Sequence, residues 1–282
     1  MKIHRDPVIW WFSLPIAALI LLVSLVSLFT PGFYAAETVN WQAQSEGQDI
    51  ADLVFIVPAL LLSAFFAYRG NPGASGFWVG TLLYLAYTFS IYCFSLHFNR
   101  LFIPYCFILG LSVFGLIWGI IKPGQDLPAN LQTRRGLRKL IAIYFMVLAV
   151  LFYVLWMSEL LPATWYNRPP ALLEETGLAS NPVHVLDLAL FLPAIFITGL
   201  LLLRGKQFAG YLVPVWLGFF ILMDCSLAML NMVMVKRGLA GDYSLAAGMI
   251  LLALFSGWLL RRTLRATSQQ AYPVNRKAGK NT

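Results

Sequence analysis

Charge is scarce in this chain. Only 11% of its 282 residues are Asp, Glu, Lys or Arg, and acids are the rarer sign, 12 against 20 bases. Soluble domains carry roughly 25% charged residues, so water is not the solvent for most of this sequence. Cysteine is rarer still. Cys93, Cys106 and Cys225 lie singly in apolar stretches with no CxxC pair, which argues against a disulfide framework or a zinc site and for small apolar core residues. The signatures of soluble enzymes are missing too: there is no Walker A motif, no HExxH, no GxSxG and no GxGxxG opening a soluble βα unit.

Hydrophobic residues make up 60% of the chain. They fall into runs longer than the ~18 residues that mark a transmembrane helix. Eight spans are expected, at Val8–Thr30, Asp49–Tyr68, Phe77–His97, Leu101–Ile121, Leu140–Leu161, Val183–Leu203, Tyr211–Val235 and Tyr243–Leu260. The first run resembles a signal peptide, with Phe33 to Ala36 as a cleavage-like site. It exceeds the ~7–15 residues of a signal h-region, however, and reads as a retained helix. A short interfacial helix is expected at Ala171–Thr176, inside the polar stretch Pro162–Pro182. The other polar stretches are Pro31–Gln48, the basic connector at 122–139 and a basic tail at 262–282, expected to be disordered.

The net charge of +8 bears on topology, and no nucleic-acid partner is expected. With the N-terminus inside, 16 of the 20 Lys and Arg are cytoplasmic, leaving only Arg100, Arg168, Lys236 and Arg237 outside. The positive-inside rule therefore expects both termini in the cytoplasm. The basic connector and tail then face anionic lipid headgroups.

The sequence is also duplicated. Gln48–Gly70 (QDIADLVFIVPALLLSAFFAYRG) and Asn181–Gly205 (NPVHVLDLALFLPAIFITGLLLLRG) share an Asp, a Pro-Ala after it and a closing Arg-Gly. The expected fold is thus an all-α polytopic membrane bundle of two four-helix repeats, at 1–121 and 140–261. Four helices per half is an even number, so the repeats are parallel, related by an axis along the membrane normal. The stretch Asn181–Val213 resembles a segment of uncharacterised polytopic membrane proteins of bacteria and archaea, with a fainter echo at Gln48–Val79. That resemblance implies a prokaryotic cytoplasmic membrane and carries no functional residue with it.

Polar groups inside apolar runs are the candidates for function. The repeated Asp52 and Asp187 precede Arg69 and Arg204 by 17 residues in each copy, about 25 Å of helix, which places each Asp near the outer boundary. There it either caps the helix or joins an outer polar cluster. Asp49 and His184 lie three residues earlier on the same faces, and convergence of Asp49, Asp52, His184 and Asp187 suits a divalent cation or a proton relay. Pro58 and Pro193 remove a ladder bond at matching places and are expected to kink both helices. Asp224 lies mid-span, with Asn231 on its face; Ser90 and His97 occupy the matching positions of the third span. A bis-histidine haem between His97 and His184 is the weakest of these ideas, and the sequence specifies no metal or cofactor. Three function classes follow: a transporter or ion-coupled permease using Asp224; a membrane sensor, assembly or accessory protein; and an intramembrane enzyme with an outer metal or haem site.

Overall fold

The computed structural model describes residues 6–121 and 134–268, and among these it is helical without strands. Eight helices are long and apolar enough to cross a membrane: α1 (Val8–Phe29), α2 (Val39–Tyr68), α3 (Pro72–Ser95), α4 (Phe102–Ile121), α5 (Arg135–Trp165), α7 (Pro182–Leu203), α8 (Gln207–Lys236) and α9 (Tyr243–Ser268). The short α6 (Ala171–Thr176) lies between α5 and α7, on the residues expected from sequence. The architecture is that of a multi-pass membrane protein.

Most boundaries fall within a few residues of expectation, and the exceptions are informative. α2 begins at Val39 rather than Asp49, capped by Thr38 Oγ1, which accepts from the Trp41 N–H at 3.3 Å. Residues 39–48 are polar, yet Trp41, Ala43, Ser45, Gly47 and Gln48 are buried in the bundle. α5 starts at Arg135, within the expected connector, and α9 continues to Ser268, within the expected tail. Residues 122–133 and 269–282, with the expected disorder of the tail, lie outside the described residues.

The duplicated motifs recur as local geometry. Each Asp opens a wide π turn, Asp52–Ile56 in α2 and Asp187–Phe191 in α7. The Val57 N–H bonds the Asp52 carbonyl and the Leu192 N–H bonds the Asp187 carbonyl. Pro58 and Pro193 follow at the start of the next α-helical stretch. A proline lacks the N–H that would continue the i→i−4 ladder, and in both copies a widened turn stands immediately ahead of it. The Arg-Gly pairs also gain a reason. Gly70 and Gly205 adopt φ +80° and +72°, a region open to glycine. In each copy the flanking N–H groups close a Schellman cap: Asn71 to Phe66 O (3.1 Å) and Gly70 to Ala67 O (2.9 Å), then Lys206 to Leu201 O (3.0 Å) and Gly205 to Leu202 O (3.1 Å).

α3 and α8 form the centre. Two-thirds (67%) of each apolar window is buried inside the protein, against 22–44% for the other six spans. They cross closely because glycine lets the backbones meet: a Cβ on Gly80 would stand 2.4 Å from the Val215 carbonyl oxygen, and one on Gly76 would stand 2.5 Å from Pro214 Cγ. α2 and α4 pack on α3, with α1 against α2 and α4, while α9 lies along α8 and α5 pairs with α7.

Candidate functional site

The acids of α2 are sealed. Asp49 and Asp52 are 1% and 0% exposed, because α2 continues past them into the bundle instead of ending there. This corrects their expected place at the helix boundary and rules out capping of the helix end. Asp49 is held by three hydroxyls: Ser27 Oγ from α1, Tyr34 Oη from the loop at 2.7 Å and Tyr92 Oη from α3 at 3.0 Å. Burial, with Asp49 beside it, pushes the Tyr34 phenol well above its ordinary range, so Tyr34 stays a proton donor. Gln48 Nε2 donates to Asp52 Oδ1 at 2.8 Å and also to Tyr84 Oη at 2.8 Å. Tyr84 Oη lies 2.6 Å from Ser226 Oγ. One polar chain therefore runs from α2 through α3 to α8.

The acid of α7 is held differently. Asp187 accepts from Tyr87 Oη at 3.1 Å and from Trp156 Nε1 at 2.8 Å, one donor on each oxygen. His184 packs beside Trp156, ring centroids 4.6 Å apart and planes tilted by 57°, with Nε2 3.8 Å from Glu159 Oε2. The expected cluster thus divides into two pairs: among the described residues no hydrogen bond or ion pair joins Asp49 or Asp52 to His184 or Asp187. Nor does any group of three or more His, Cys, Asp or Glu there have a metal-holding arrangement.

Asp224 borders a cavity of about 300 Å³, which also reaches Asp187. The cavity lies among α2, α3, α5, α7 and α8. It extends from Trp41, Thr176 and Asn181 near the loops to Phe219 and Phe220 deep in the bundle. Asp224 is 8% exposed and accepts no hydrogen bond from the described residues. The walls are mostly aromatic and aliphatic, with Gln48, Tyr87, Tyr92 and Ser226 supplying polar atoms, and no Lys, Arg or His among the lining residues. An ionisable group held in an apolar wall without a counter-charge is costly, and its retention there calls for a ligand or a proton.

The remaining candidates lie away from Asp224 or bond elsewhere. Asn231 Oδ1 accepts from the Asp242 N–H at 2.9 Å, tying the start of α9 to α8. The Ser244 backbone N–H and hydroxyl both bond Asp242 and hold its carboxyl below the usual range. Ser90 Oγ turns back to the Ala86 carbonyl of its own helix at 2.7 Å. His97 lies beyond the end of α3, where its N–H and ring Nδ1 approach Glu37 at 2.7 and 3.0 Å. Ser90 and His97 share a separate groove with Gly177 and Pro182, so they do not continue a line from Asp224. With His97 beside Glu37 and His184 beside Glu159, the two histidines have different neighbours, and nothing pairs them for a haem.

Gln48, Tyr92, Trp156 and Ser226 were not legible as site residues. Gln48 is four residues before Asp52 on one helix face, and phenols recur at Tyr84, Tyr87 and Tyr92 along α3; that spacing is the signal the sequence carries. The chain was compared with protein-family models, with curated proteins and with solved structures, and none of the three gave a match.

Proposed function

We propose that this protein is a transporter or ion-coupled permease of a prokaryotic cytoplasmic membrane. Its two halves act as parallel four-helix repeats and both termini are cytoplasmic, with the basic connector and tail against anionic headgroups. The reading rests on one observation above all: a cavity descends from the loops to a buried, unpartnered Asp224 in the middle of α8, with Asp187 on its wall. Asp224 is the coupling or substrate acid in this scheme. The π turn ahead of Pro193 adjoins the cavity at Asp187, Phe191 and Leu192. Such turns are frequent at functional sites, and this one gives α7 a place to bend as access changes sides.

The test needs no substrate. Leu227 lines the cavity. Leu227→Cys is placed in a chain whose three native cysteines are Ala, and sealed vesicles of known sidedness are treated with a membrane-impermeant maleimide from each face in turn. Alternating access predicts labelling from both faces. Labelling from one face, or none, contradicts transport and favours a sensor, assembly or accessory role that acts by interaction.

A further inference from the structure

We infer that the ligand of this cavity is an organic cation with an apolar body; the inference takes its site from the reading of the cavity as a substrate pathway and its chemistry from the walls. Asp224 is more than nine-tenths buried, borders the cavity and accepts no hydrogen bond among the described residues. Asp187 adds a second carboxylate, with one bonded donor on each oxygen and lone pairs to spare. No basic side chain lines the space to neutralise either. An anion entering here meets two acids and no partner. A neutral hydrocarbon fills the space but leaves Asp224 desolvated and alone.

An inorganic cation fits poorly as well. Calcium takes six to eight oxygens and magnesium a near-octahedral oxygen shell; this wall offers carboxylates set among rings. Trp41, Tyr87, Tyr92, Trp156, Phe191 and Phe219 all face the space, and π faces attract ammonium groups, most strongly where water is excluded. A bare proton would satisfy Asp224 without needing the cavity. At about 300 Å³ the space is at the small end of ligand pockets, which run roughly 300–1,000 Å³. It therefore suits an ammonium group carrying about one ring or a short chain.

Three probes of similar shape separate these cases: benzyltrimethylammonium, its neutral isostere neopentylbenzene, and phenylacetate as the anion. Binding to the purified full chain in detergent is read from tryptophan fluorescence, since Trp41 and Trp156 line the cavity, and is corrected for partition into empty micelles. The cation is expected to bind at least about tenfold more tightly than either other probe, and to lose about tenfold in Asp224→Asn. Equal binding of the neutral isostere, or no binding of the cation, overturns the inference. The ranking in the unaltered protein decides the matter even where Asp224→Asn fails to fold. Cation preference with labelling of the Leu227→Cys chain from one face removes transport and keeps the ligand class; labelling from both faces without cation preference does the reverse.

Discussion

The two halves carry the same motif and use it in opposite ways. In the first half, Asp49 and Asp52 lie in a filled interior, and the donors that reach them come from α1, α2, α3 and the loop at Tyr34. In the second, α7 meets α8 over a shorter contact than α2 makes with α3, and a cavity opens beside Asp187 and Asp224. The aspartates repeat along with the π turns, the prolines and the Schellman caps, so local sequence explains the shared geometry. What differs is the packing around it. α2 begins at Val39, thirteen residues before Asp52, whereas α7 begins at Pro182, only five residues before Asp187. The comparison teaches that a duplicated motif fixes a helix's shape while its flanks decide whether the site is solid or hollow.

The largest expected effect strikes the solid half. Asp49→Ala leaves Tyr34 without an acceptor and Ser27 and Tyr92 with only their longer bonds to the Ser24 and Ser45 carbonyls; at roughly 1–3 kcal/mol per buried unmet group the loss is ~3 kcal/mol, measurable as the shift in denaturant unfolding in detergent. Preserved stability would mean that this half is not sealed. Next come Gly76 and Gly210, each near the start of its helix, α3 and α8. A methyl on Gly76 strikes Pro214, while one on Gly210 meets nothing within 4 Å. Gly76→Ala should cost ~1–3 kcal/mol through overpacking. Gly210→Ala should be neutral or gain up to ~1 kcal/mol of helix propensity. The same unfolding assay separates them, and equal costs would erase the packing difference between the halves.

Asp187→Ala removes both acceptor oxygens, so the Tyr87 hydroxyl and the Trp156 N–H each lose a bond. A loss of ~1–2 kcal/mol is expected, with a change in tryptophan emission reporting on Trp156. Gly70→Ala and Gly205→Ala should each cost about 1 kcal/mol or more and cost alike, because both hold the same left-handed cap. Clearly unequal values would break the local equivalence of the two copies. Smallest is Asp224→Asn: with no bonded partner to lose, stability should stay level or rise slightly, while ligand binding falls as given above.

The membrane fold was legible because lipid imposes long uncharged runs, and eight of them stand in the sequence with turn chemistry between. α6 was legible from its few residues between Pro170 and Gly177. Asp224 was legible as a costly mid-span acid. The start of α2 was not, because Gln44, Ser45 and Gln48 look like loop residues until their surroundings are known: they point to the cavity and not to bulk water. That start is what takes Asp49 and Asp52 from the expected helix end into the middle of α2. The links from Gln48 through Tyr84 to Ser226 join the neighbouring α2 and α3 to the distant α8, and no local pattern announces them. Pro58 and Pro193 marked where the helices change, but the widened turn ahead of each has no signature of its own in sequence.

A carbodiimide that partitions into apolar space tests the central contrast most directly. Purified protein is treated with dicyclohexylcarbodiimide without any substitution, and adducts are located by mass spectrometry of peptides. A cavity beside Asp187 and Asp224 and a sealed site around Asp49 and Asp52 predict modification of Asp224, with Asp187 slower and Asp49 and Asp52 untouched. Modification of Asp49 or Asp52 ahead of Asp224, or an unmodified Asp224, would contradict the account.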